Sequence, residues 1–443
     1  MRKIKYIYCV LIAFTLFPIV EAQEIYNLHK VLETGLDRNF DIRIVRNEQQ
    51  IADNNTTLAN AGMLPSLDLS VGYNGSIMNT DQTMVDGSKN SRDNIFNQGA
   101  NVGLNFSWTV FDGFQMQTQY SKLKEYQQMG EISTRLSIDN LISNLTAEYY
   151  NYIRQKLRLK NLSYAVSLSK ERLRIEEERY NIGSTSRLDL QQARVDFNAD
   201  SSNLIKQYEV LNTSSIVLNQ LMVLDDVSQN IIIKDTVIKS NMFMTEEELW
   251  KNTLAANGQL LLAAKNKTLS ELDKKTYQSK NYPYLRLNGG YGYTINLYDN
   301  TSPSSLDKQS NLGFNYGVTL GFSIFDGNRK REQKNARINI ENRELEYERL
   351  ELALKADLAT ILMAYKNNIE LLSLEEENVE TARQNYEIAM ERYRLGDLAG
   401  IEIREAQNSL LAAEERLLDA KYNTKLCEIS LLQISGQVTS YLE

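Results

Sequence analysis

Catalysis needs side chains that hold a proton, a metal or a nucleophile, and this chain of 443 residues offers few of them. His29 is its only histidine, and Cys427 is the only cysteine after Cys9. Neither sits in a cluster of His, Cys, Asp or Glu at a ligand or triad spacing, so both read as structural residues. Gly289-Gly290-Tyr291-Gly292 has the look of a phosphate loop. It lies inside an alternating segment with no helix after it, so its glycines read as small residues on the lumen side of a strand. The chain carries no nucleotide-binding motif. It is expected to be no enzyme and to hold no metal or cofactor.

The elements around these residues tell more. Residues 1–22 open with Arg2, Lys3 and Lys5, pass through a short apolar run and end at Val20-Glu21-Ala22. That is the pattern of a secretory signal peptide, cut after Ala22, since the run falls short of the roughly 20 residues that span a bilayer. Without it the chain has 46 bases and 56 acids, a net charge of −10. Such a balance excludes the basic stripe of a nucleic-acid binder. A single remaining cysteine excludes an internal disulfide.

The chain repeats itself. Leu64 to Tyr73 aligns with Tyr282 to Tyr291 at an offset of 218, and Phe111-Asp112-Gly113 recurs 214 residues on as Phe325-Asp326-Gly327. Arg179-Tyr180-x-x-Gly183 recurs as Arg392-Tyr393-x-x-Gly396. The organisation expected is a first repeat over 23–223, a linker over 224–244 and a second repeat over 245–443. Each repeat runs helix, strand pair, long helix and return helix. Strands are expected at about 66–78 and 101–111, then at 284–297 and 312–325, with polar loops over 78–97 and 298–310. In these segments Val102, Leu104, Phe106, Trp108 and Val110 interleave with Gly103, Asn105, Ser107 and Thr109, and the others do likewise. One face is therefore greasy and the other small and polar. Four such strands are too few for a soluble sandwich, and they suit a membrane strand with a wet opposite side.

Between the strand pairs and the repeated Gly lie stretches of more than sixty residues without proline. Ile138, Leu141, Leu145, Tyr149 and Tyr152 recur at three- and four-residue steps, as do Leu358, Ile361, Tyr365, Ile369 and Leu372. That is a coiled-coil-like seam on a helix of about 100 Å, at about 1.5 Å per residue. Gly183 and Gly396 suit left-handed C-caps, with hairpin tips near 180–187 and 393–400. Arg179 and Arg392 complement the carbonyl ends, and Ser186 with Asp189 suits the N-cap of the return helix. Asp112 and Asp326 are placed to cap the long helices as each half leaves the strands.

Four strands cannot close a barrel, and open edges in lipid leave backbone groups unpaired at several kcal/mol each. Identical copies must share the sheet; two would make a filled barrel, and three a hollow one. The order of these landmarks resembles the TolC family of outer-membrane efflux proteins across the whole exported chain. The resemblance implies a mixed α and β, mostly α membrane protein. In it, a homotrimer builds a 12-stranded barrel in outer-membrane lipid of a Gram-negative bacterium, continued by a helical barrel in the periplasm. It implies an exit duct for small molecules or proteins in a tripartite efflux or type I secretion system. The partners would be a periplasmic adaptor and an inner-membrane transporter of RND, ABC or MFS type. The tip residues Arg179, Tyr180, Gly183, Arg392, Tyr393 and Gly396 would face the adaptor. Glu402 and Glu405 would narrow the periplasmic entrance, with Asp189 at the equivalent place in the first half. A structural, elongated coiled-coil protein without transport is the alternative.

Overall fold

The computed structural model describes residues 25–240, 245–299 and 306–442. The expected signal peptide, the end of the linker and the middle of the 298–310 loop lie outside them. The described elements run β1 (Ile25–Tyr26), α1 (Leu28–Arg38), α2 (Phe40–Asn55), β2 (Ser66–Thr83), β3 (Lys89–Phe111), α3 (Gln115–Asn181) and α4 (Arg187–Leu221). The second half continues with β4 (Ile232–Ile233), α5 (Glu246–Ala256), α6 (Gly258–Ser279), β5 (Tyr284–Leu297), β6 (Lys308–Gly321), α7 (Gly327–Leu395) and α8 (Gly400–Ile434). A short 3-10 helix, Val438–Leu442, follows.

The chain forms two compact units, and α2, α3 and α7 each contribute to both. One unit gathers 44–135 and 258–352. Its sheet has the order β2-β3-β5-β6, antiparallel throughout, so the two halves join where β3 meets β5 and both outer strands keep a free edge. Trp108 donates its indole N–H to the Met63 carbonyl at 3.0 Å, and Lys122 pairs with Asp273 at 2.6 Å.

Gly113 is a position only glycine fills. Its φ is +72°, and a Cβ there would stand 2.4 Å from the Ser279 carbonyl oxygen. Phe114 is left-handed too, and its ring packs edge-on against Phe111 and Tyr282.

The strands differ from their expected bounds in three places, one of them the start of β6 at Lys308 instead of 312. Most of the loop expected over 78–97 is ladder: β2 and β3 continue to Thr83 and Lys89 around a five-residue turn. The polar residues there have no alternation to read, because pairing alone holds this ribbon. At the other end β6 stops at Gly321 instead of 325, since its partner β5 begins at Tyr284, just after Pro283, and leaves nothing to pair with.

The second unit gathers the described residues up to 43, 136–257 and from 353 on. Its main core places Leu141, Ile142, Leu145, Tyr149, Tyr152 and Ile153 of α3 against Val31, Leu32, Leu218, Met222 and Ile233. These α3 positions follow the sequence seam. A second core joins Leu249 to Leu358, Leu362, Tyr365 and Leu431. The seam in α7 is thinner than its spacing suggests: Ile369 is exposed. On the same helix Ile338, Leu345 and Leu352, seven residues apart, are exposed as well.

Candidate functional site

The register sorts the four-stranded sheet into two chemically distinct faces. Leu69, Leu104, Tyr291 and Phe314 stand in one row across it, and every one is exposed. The neighbouring row on the other face is Ser70, Gly103, Gly292 and Gly313. Further rows on that face are Asp68, Asn105, Gly290, Asn315 and Gly72, Asn101, Thr294, Asn311. Apolar surface this extensive on an isolated sheet face marks contact with lipid or protein. The opposite face suits water.

Gly290 and Gly292 lie on the amide-rich face as expected. Gly289 does not: it pairs with Phe106 and Tyr316 in an apolar row, because adjacent residues of a strand point to opposite faces.

At the strand-to-helix junctions the halves diverge. Both Asp112 carboxylate oxygens accept from the Met116 N–H at 3.0–3.1 Å, capping α3. Asp326 accepts from the Asn328 N–H at 2.9 Å. Phe111 is packed and Gly113 buried, whereas Ile324 and Phe325 are each 87% exposed and Gly327 is open.

The hairpin tips are built by one backbone device used twice. Gly183 and Gly396 have φ of +77° and +90°. Ser184 N–H donates to the Arg179 carbonyl at 2.9 Å and Asp397 N–H to the Arg392 carbonyl at 3.0 Å. Gly183 and Gly396 donate to the Tyr180 and Tyr393 carbonyls. These are Schellman closures, so the repeated Arg-Tyr-x-x-Gly places its Arg and Tyr one turn before a left-handed glycine.

The two copies then part. Tyr180 is exposed, while Tyr393 is fully buried among Tyr386, Met390, Ile403 and Leu410. Tyr393 is therefore no docking surface; its hydroxyl donates to Glu176, and burial followed by that bond raises its pKa. Arg179 reaches across to donate to the Tyr393 carbonyl, with its guanidinium 4.6 Å from that ring. Arg392 stays exposed.

Beneath the tips a lattice of charges joins the helices. Arg172 bonds Asp196, and Arg404 grips Asp200 with two bonds of 2.7 and 2.9 Å. Gln407 adds a bond of 3.1 Å to the same carboxylate. This lattice was not read from the sequence; its signal was the placing of charged residues at helix positions that face inward. A cleft of about 470 Å³ is lined by Arg172, Asp196 and Arg404 of this lattice together with Leu188, Asp189 and Ile401.

The three acids of the expected constriction are all exposed. Asp189 completes a capping box on α4: the Ser186 hydroxyl accepts from its N–H at 3.1 Å and donates to its carboxylate at 2.6 Å. That hydroxyl bond holds the Asp189 carboxyl below the usual range. Glu402 accepts from the Ala399 N–H at 3.1 Å, one half of a capping box, since alanine has no acceptor to return. Glu405 is on the same helix, α8, three residues on.

A family model described as outer membrane efflux protein matches residues 31–222 and 249–437, one stretch in each repeat. The chain belongs to that family. This efflux protein is 21% identical over 426 residues to outer membrane protein TolC of Vibrio cholerae, covering 93% of this chain and 91% of the relative. Against TolC of Escherichia coli it is 20% identical over 446 residues, covering 96% and 85%. The crystal structure of the Campylobacter jejuni CmeC outer membrane channel superposes with a TM-score of 0.76 at 18% identity, covering 95% of this chain and 90% of that one. The efflux protein is thus an outer-membrane channel with a TolC-like fold that extends into the periplasm. The alternative of a structural coiled coil gains no support from these matches. Channels of the family form trimers and act in tripartite efflux systems.

Proposed function

We propose that three copies of this chain share one barrel and form the exit duct of a tripartite efflux or type I secretion system. One observation carries the reading: a four-stranded sheet with an apolar face, an amide face and two unpaired edges. In hydrocarbon those edges must be met by other copies, because lipid offers no hydrogen-bond partner. The open junction at Ile324 and Phe325 supports this, since its packed counterpart at Phe111 is covered by the next strand pair of the same chain. The exposed heptad residues Ile338, Leu345 and Leu352 suit helix packing between copies.

In this reading the repeats over 23–223 and 245–443 each contribute one strand pair and one helical hairpin. The hairpin tips, with exposed Arg392, Tyr180, Gly183 and Gly396 and the partly exposed Arg179, meet a periplasmic adaptor held by an inner-membrane transporter. Glu402 and Glu405, brought together in threes, narrow the periplasmic entrance, with Asp189 near them. Held close, six carboxylates attract cations. Cargo is small molecules or proteins, driven by the partner, and the chain itself performs no catalysis.

The test is crosslinking in intact cells followed by purification in detergent. A trimer that brings a periplasmic adaptor with it supports the proposal, whereas a detergent-independent monomer or dimer refutes it.

A further inference from the structure

Glycine in a strand weakens the ladder unless another group uses the space it leaves. On the amide face of this sheet the space is used repeatedly, four times by an asparagine. A Cβ on Gly72 would meet Oδ1 of Asn101 at 2.5 Å, and Asn101 is the residue directly across the ladder. Gly290 stands in the same relation to Asn315, also at 2.5 Å, and Gly99 to Asn296 at 2.8 Å. A Cβ on Gly317 would meet both terminal atoms of Asn288 at 2.9 Å. In all four pairs the asparagine leans across to the neighbouring strand and occupies the volume where a side chain would begin. At the foot of the sheet Tyr284 lies over Gly321 in the same manner.

Such an arrangement lays each carboxamide flat along the wall. It keeps a polar, hydratable surface and removes the side chains that would project from it. The face is also nearly free of charge: over 66–76, 97–109, 284–297 and 309–321 the only charged residues pointing that way are Asp68 and Arg286.

We propose that these asparagine–glycine pairs set the bore of the barrel, holding it open for bulky, polar-surfaced cargo of either charge. The inference rests on the duct reading above, in which the amide face lines the lumen. Discrimination between cargoes then belongs to the helical end and its partners, and the strand wall serves as a wide hydrated sleeve.

The experiment uses full-length trimers in planar bilayers, with neutral polyethylene glycols of graded size added on the side of the strand hairpins. The readout is the largest polymer that still enters and lowers the current. Gly72→Ala with Gly290→Ala forces Asn101 and Asn315 off the wall and shifts the cut-off to smaller polymers. Adding Asn101→Ala and Asn315→Ala to the same protein restores the original cut-off. An unchanged cut-off in the glycine variant overturns the proposal. So does a reduced cut-off that the asparagine changes fail to relieve, since the effect would then come from the strands and not from the carboxamides. A protein that carries no current in any form counts against the duct reading itself.

Discussion

The internal repeat predicts which atoms meet between copies. Within one chain β3 pairs with β5, and Asn101 faces Thr294. Carrying β3 forward by 214 residues gives β6, and carrying β5 back by 218 gives β2, so Asn315 of one copy should face Ser76 of the next. The energetic reason is large. About ten residues of β6 cross hydrocarbon, and roughly half turn N–H and C=O away from β5. On the order of ten unpaired groups at several kcal/mol each amounts to tens of kcal/mol per free edge, enough to exclude separated copies.

The perturbation is Ser76→Cys with Asn315→Cys in a Cys427→Ser background, because Cys427 is the one free thiol among the described residues. Residues directly opposite have Cβ atoms about 4.5–5.5 Å apart, near the reach of a disulfide, and diagonal neighbours about 7–8 Å, beyond it. Mild oxidation of membranes should then give covalent dimers and trimers on denaturing gels and nothing larger. The pairing of Ser76→Cys with Gly313→Cys, slipped by two residues, should crosslink several-fold less. Gly313 has open space for the new side chain, so that control is not weakened by crowding. A slipped pair that links as well as the aligned one, or a ladder that ends at the dimer, would refute the reasoning.

Other expectations follow from the charges and caps. Glu402→Ala with Glu405→Ala should raise single-channel conductance or relieve block by multivalent cations; an unchanged current would remove both from the constriction. Arg404→Ala leaves Asp200, only 5% exposed, without its main partner, and should cost about 3 kcal/mol by thermal melting. Arg404→Met with Asp200→Leu should recover most of that loss. Asp112→Ala removes the cap of α3 and should cost about 1 kcal/mol. Burial alone would raise the Glu428 pKa, but bonds from Lys425, Ser240 and Tyr441 outweigh it and hold the carboxyl below its ordinary 4.5. Its contribution is therefore present above pH 4.5 and lost as pH falls through the lowered value. Glu428→Gln should flatten the fall of melting temperature below that pH, and an unchanged acid profile would contradict this.

Most of the fold was legible because long-period patterns carry it. The step of two in Leu67, Leu69, Val71 and Tyr73, and the three-four step of Leu141, Leu145, Tyr149 and Tyr152, report which side meets water. The Arg-Tyr-x-x-Gly turns were legible because a left-handed glycine and its preceding turn form a local device. What escaped had no local signal. The ribbon around Thr83 and Lys89 is polar on both faces, so only its ladder reveals it. The unlike fates of Tyr180 and Tyr393 depend on which hairpin each helix packs against. The asparagine–glycine pairs needed the register, since Gly72 and Asn101 are neighbours only across strands.

The two strand pairs of the sheet have ladders of unequal length. β2 and β3 continue as a two-stranded ribbon beyond Gln98, where β5 ends at Leu297. Around a ring of three copies the wall would repeat nearly six times, yet the longer ladder would recur at only three places on its rim. An external molecule that recognises the rim would then find three equivalent perches, or one central seat with threefold symmetry.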